Sequence, residues 1–118
     1  LAAAAISYQG ILPAPRIATA VNTREQGWVV LPALGEPRVL LPPSAAKEAA
    51  FSLIEEGGTF WSHTATGSIS KTAVTWLLAG TPPDWQGAPL AVVVAVEEHN
   101  PALAERIGKS LLNAALDR

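Results

Sequence analysis

Along this 118-residue chain the spacing of apolar positions shifts between helical and extended patterns, and each shift predicts an element. Leu1 to Gln9 is alanine-rich and built of good helix formers, and Gly10 stands where a helix usually stops, so residues 1–10 read as the end of a helix. No cap precedes that run and the chain holds no methionine, so it reads as an excised piece of a longer protein. From Ile11 to Pro43, Pro13, Pro15, Pro32, Pro37, Pro42 and Pro43 break helices and keep out of central strands, which predicts an irregular arm. Two short extended pieces inside the arm, Arg16 to Asn22 and Gly27 to Leu31, flank a polar turn and are expected to pair as a hairpin.

Ser44 follows two prolines and precedes an alanine-rich run, so it is expected to cap a helix that ends at Gly57-Gly58, with Ala46, Ala50, Leu53 and Ile54 on its apolar face. Thr59 to Thr66 is rich in aromatic and β-branched residues, Gly67-Ser68-Ile69-Ser70 reads as a turn, and Thr72 to Ala79 returns as a second strand. The unbroken apolar run Leu90 to Val96 fits a strand covered on both faces. Asn100 and Pro101 then open a helix to about Leu116, with Leu103, Ile107, Leu111 and Leu112 on one stripe. The chain divides as a helix end over 1–10, an arm over 11–43, a helix over 44–58, three strands over 59–97 and a terminal helix over 100–116.

Composition narrows the function classes. With 49% hydrophobic and 15% charged residues the chain fits one globular unit. Ten acids stand against eight bases without a run of either sign, which argues against nucleic acid or an anionic membrane as partner. The absence of cysteine excludes a disulfide framework, a thiol nucleophile and a cysteine zinc cluster, and no cofactor motif is present. No apolar run approaches the roughly 20 residues of a bilayer-spanning helix.

Several short strings could carry chemistry, and each has a plainer explanation. Ser44-Ala45-Ala46-Lys47 spells Ser-x-x-Lys at a helix start, where a capping serine is expected anyway. Ser70-Lys71-Thr72-Ala73 runs straight into the second strand, which makes Lys71 a solvated hairpin residue. Glu97-Glu98-His99 offers metal-binding residue types, but consecutive strand residues point to opposite faces. Trp28, Trp61, Trp76 and Trp85 suit either a binding platform or core anchoring, and Trp76 is expected to be buried. Gly57-Gly58 opens no phosphate-binding loop.

The order helix, arm, helix, three strands, helix resembles the C-terminal part of penicillin-binding transpeptidase domains. The resemblance rests on Ala2-Ala3-Ala4-Ala5-Ile6-Ser7-Tyr8-Gln9-Gly10-Ile11-Leu12-Pro13, on Ser62-His63-Thr64-Ala65-Thr66-Gly67, on Trp76 and Gly80, and on the strand closing at Glu97. It implies an α/β (α+β) fold in which a three-stranded antiparallel sheet packs beneath the C-terminal helix, part of a β-lactamase/transpeptidase-like fold. In that family Ser-x-x-Lys supplies the nucleophile and its base, Ser-x-Asn assists proton transfer, and Lys-Thr-Gly-Thr lines the cleft. The last motif lies on an edge strand that an extended peptide can join through its backbone.

Carried onto this chain, His63 stands in place of the lysine, Thr64 matches, Ala65 stands in place of the glycine and Thr66 matches. A histidine is largely uncharged near neutral pH where lysine would be cationic, and the methyl group of Ala65 crowds the cleft. His63 can also be read as a polar strand residue facing solvent, or as a metal ligand or general base. The resemblance implies a substrate-binding strand at His63, Thr64, Ala65 and Thr66, with peptidoglycan stem peptide or β-lactam as the parent domain's ligand, on the extracytoplasmic side of a bacterial membrane. It implies no catalysis by this chain alone, because the nucleophile motif is absent. The parent is then either a D,D-transpeptidase that cross-links peptidoglycan or a degenerate module that binds wall peptide or assembly partners; an unrelated small α/β binding domain is the remaining class. In the family, the strand equivalent to Leu90 to Val96 pairs with a strand this chain lacks, so self-association through the 90–96 edge, or through the exposed sheet face, is a further expectation.

Overall fold

The computed structural model describes residues 1–16, 18–32, 35–69 and 72–116. The first helix, α1 (Ala2–Ser7), ends where Gln9 and Gly10 take positive φ and the Gly10 amide reaches back to the Ala5 carbonyl at 2.7 Å, a Schellman-type stop. The Gly10 carbonyl then accepts from the Leu40 and Leu41 amides, and β1 (Ile11–Leu12) pairs with β4 (Arg38–Val39). This pairing was not predicted, because two-residue strands leave no periodic trace. A side chain at Gly10 would strike the Leu41 carbonyl, so the αL turn and the close crossing both require glycine. Between these strands, β2 (Ala20–Thr23) and β3 (Gly27–Val30) form the expected hairpin, closed by Thr23 Oγ1, which accepts from the Gln26 amide.

The second helix, α2 (Pro43–Ser52), starts one residue before Ser44 and ends well short of Gly57. Pro42 occupies the N-cap position and no side chain caps the helix, so Ser44 is not the cap expected of it. The early end has a tertiary cause: Ile54 bridges to Trp61 and the Ser62 amide donates to the Leu53 carbonyl at 3.1 Å, which draws the chain out of the helix. Ala46 and Ala50 are buried, as the helical spacing predicts, whereas Leu53 and Ile54 lie past the end of the helix and are half-buried against β5.

The core of the fold is a three-stranded antiparallel sheet in the order β5 (Trp61–Ile69), β6 (Thr72–Gly80), β7 (Ala91–Val96), packed against the C-terminal helix α3 (Pro101–Leu116). The expected turn at Gly67 to Ser70 is instead strand as far as Ile69, which pairs with Thr72. The ladder runs past Gly67, which pairs with the β-branched Val74, through Ser68 opposite Ala73; Ser70 and Lys71 lie outside the described residues.

One sheet face carries Leu77, Ala79, Val92, Val94 and Val96 against Ala104 and Leu112 of α3. Near its Trp61 end the opposite face meets α1 and α2 through Ala3, Ala50, Ile6 and Leu53. Three expectations are corrected here. Strand β7 is covered on one face only, since Ala91, Val93 and Ala95 are exposed. Of the expected α3 stripe Leu112 is buried and Leu103 half-buried, but Ile107 and Leu111 stay exposed, and Ala104 and Gly108 complete the buried line instead. The reason is a close approach at Gly108, where an added Cβ would meet the buried Leu77 side chain. Trp76 is 44% exposed, and the buried tryptophan is Trp61, at 1%.

Candidate functional site

The four candidate residues lie in sequence on β5, and strand alternation divides them between two surfaces. His63 and Ala65 project with Trp61 and Trp76 onto the α1–α2 side of the sheet, where both are exposed. His63 therefore faces solvent, opposite Leu78 across the ladder. Thr64 and Thr66 project onto the α3 side.

There both hydroxyls are engaged. Thr64 Oγ1 donates to Glu105 Oε1 of α3 at 3.2 Å. Thr75 Oγ1 donates to the Glu98 carbonyl at 2.7 Å and accepts from the Asn100 amide at 3.0 Å, so its one proton is spent. In the 3.1 Å contact between Thr66 Oγ1 and Thr75 Oγ1, Thr66 must then be the donor. Neither candidate hydroxyl keeps a proton for an incoming carboxylate, and the group that meets Thr64 is itself an acid. Glu105 and Thr75 were not singled out from sequence, because only the packing of α3 across the sheet brings them to β5.

The backbone of β5 is arranged differently. The Ser62 amide points away from β6, toward Leu53, so by alternation the amides and carbonyls of Thr64 and Thr66 also point outward, while His63 and Ala65 pair with Leu78 and Trp76. Beyond the short cover of Leu53 and Ile54, no strand among the described residues pairs with this edge.

The other strings stay apart from β5. Ser44 and Lys47 lie on exposed positions of α2, with Lys47 Nζ 5.6 Å from the Phe51 ring centre. Glu98 Oε1 accepts from Asn100 Nδ2 at 2.9 Å at the exposed start of α3. Among the described residues, no group of three or more histidine, aspartate or glutamate side chains is placed to hold a metal ion. A groove of about 590 Å³ lies elsewhere, between the Trp85–Leu90 segment and the end of α3. Comparison with models of known families, with curated proteins and with solved structures finds no match for this chain.

Proposed function

We propose that this chain is the C-terminal segment of a penicillin-binding, transpeptidase-like domain, and that its β5 edge receives an extended cell-wall peptide without performing acyl transfer. The observation that supports this reading is the division of labour on β5. Thr64 and Thr66 offer outward backbone donors and acceptors at an edge that no strand among the described residues pairs with, which is what strand addition uses. Their hydroxyl protons meanwhile serve Glu105 and Thr75, and the positions that resemble a lysine and a glycine hold His63 and Ala65. Those features favour a binding module over a cross-linking enzyme. An active parent domain with an upstream Ser-x-x-Lys is the second reading, favoured by the order of elements, and either role belongs on the extracytoplasmic side of a bacterial membrane.

The test is an amide-resolved NMR titration with a stem peptide ending in D-Ala-D-Ala. The largest shifts are expected at the Thr64 and Thr66 amides and smaller ones at His63 and Ala65, whose amides are already paired. Shifts absent from β5 would overturn the edge as a peptide site. Covalent labelling of the chain by fluorescent penicillin, located by mass spectrometry, would overturn the non-catalytic role.

A further inference from the structure

A polar cavity lies where the segment between α2 and β5 faces α3. In that segment the Gly58 amide donates to the Glu55 carbonyl at 2.8 Å and Gly57 takes a φ of +76°, closing a four-residue turn that begins at Glu55. The Ile54–Trp61 bridge and the bond from the Ser62 amide to the Leu53 carbonyl anchor this turn on both flanks. On α3, Glu105, Lys109 and Asn113 recur at every fourth residue and so share one side of the helix, the side that meets Thr64 of β5. Ser62 projects to the same side as Thr64 by strand alternation. The cavity between these walls measures about 220 Å³ and is lined by Glu55, Ser62, Lys109 and Asn113, with the half-buried Phe60 as its apolar part. Every lining residue comes from the turn segment, from the start of β5 or from α3.

The charges in this cavity come as a pair. Lys109 Nζ lies 3.1 Å from Glu55 Oε2, and the two side chains are 39% and 65% exposed. At that exposure an ion pair contributes little to stability, so a ligand can reorient it at small cost. A lone anion drawn to Lys109 also meets the Glu55 carboxylate, and a lone cation drawn to Glu55 also meets the Lys109 ammonium. A molecule that carries both charges on one carbon avoids either conflict. The nitrogen and the carboxyl carbon of an α-amino acid stand about 2.5 Å apart, so its carboxylate can lie against Lys109 while its ammonium lies against Glu55. Four alternating charges then close a ring. Ser62 Oγ and Asn113 Nδ2 supply neutral donors to the same carboxylate. A Cβ added at Gly57 meets nothing within 4 Å, so the cavity opens on that side and a ligand's side chain can leave through it.

We infer that this cavity binds the zwitterionic head of an α-amino acid, carried either by a free amino acid or by the end of a larger molecule. The site is separate from the Thr64–Thr66 edge and does not rest on peptide binding there.

The test is an amide-resolved NMR titration of the whole chain with alanine, in its D and L forms. The Gly57, Gly58, Ser62, Lys109 and Asn113 amides are expected to shift with a Kd on the order of 1 mM. Acetate and ethylammonium should each bind about ten-fold more weakly or worse, because each leaves one charge of the pair opposed. Glu55→Gln and Lys109→Met should each weaken alanine about ten-fold and reduce its advantage over the singly charged probes, with circular dichroism unchanged because both side chains are solvent-exposed in part. Exchanging the charges, with Glu55→Lys and Lys109→Glu in one chain, should restore the binding that Lys109→Glu alone abolishes. Nε-acetyl-lysine reads the source of the head: tighter binding than alanine assigns it to a larger molecule, and equal binding assigns a free amino acid. The proposal fails if these amides do not move with alanine, if acetate or ethylammonium binds as tightly, or if the folded exchanged chain binds no better than Lys109→Glu alone.

Discussion

Trp61→Phe tests how the two halves of the chain are held together. Trp61 Nε1 donates to Ser7 Oγ at 3.0 Å and to the Thr81 carbonyl at 3.1 Å, tying α1 to β5 and to the segment after β6 in a site where all three residues are buried. Phenylalanine keeps most of the apolar contact with Ala3 and Ala50 and removes the donor. Losing that shared bond and stranding its acceptors costs about 2 kcal/mol, and the roughly 40 Å³ left empty adds about 1 kcal/mol at ~24 cal/mol per Å³. Urea unfolding at pH 7, followed by far-UV circular dichroism, should therefore show a loss of about 3 kcal/mol, or roughly 12 °C in Tm for a domain of this size. Ser7→Ala in the same background should recover about 1 kcal/mol relative to additivity, because it removes one stranded partner. Trp76→Phe, at the exposed end of the same sheet face, should cost no more than about 0.5 kcal/mol. A Trp61→Phe loss below about 1 kcal/mol, or a larger loss for Trp76→Phe, would refute the placement of the core anchor.

Two further outcomes follow from the contacts of α3. Asn100 Oδ1 accepts from the Leu103 amide at 3.0 Å, so Asn100→Ala should lower stability by about 1 kcal/mol while Asn100→Ser retains most of it, as read by thermal melting. Gly108→Val should cost about 2–3 kcal/mol by forcing Leu77 out of its place, and Gly108→Ala less, because helix propensity returns about 1 kcal/mol; equal melting of Gly108→Val and the unmodified chain would refute the close helix–sheet approach.

Elements whose cause is local were legible in the sequence. Asn100 and Pro101 start α3 because one caps and the other presets φ, and the turn from Thr23 to Gly27 closes β2 on β3 with its own side chain and glycine. The three strands and their order with α3 were likewise readable, and the sheet packed on the terminal helix is as expected. On β5 the alternation that separates His63 and Ala65 from Thr64 and Thr66 follows from strand geometry, but the partners of the two hydroxyls do not. Glu105 lies 41 residues from Thr64, and no periodicity connects them.

By itself the sequence determined where α3, the β2–β3 hairpin and the three strands of the main sheet form, because capping, proline geometry and β-branching act within a few residues, whereas the end of α2 and the β1–β4 pair were set by tertiary contacts. Tertiary structure decided which of those surfaces are covered. Trp61 and Trp76 stand on the same sheet face with equal claims to burial, and only the arrival of α1 and α2 at one end distinguishes them. The leucine stripe of α3 marks the apolar side of the helix, yet of it the sheet buries Leu112 and takes Ala104 and Gly108 in place of Ile107 and Leu111, because small residues let the helix backbone approach Leu77. Burial is a property of two surfaces meeting, so one strand or helix can state its own preference but cannot choose its partner.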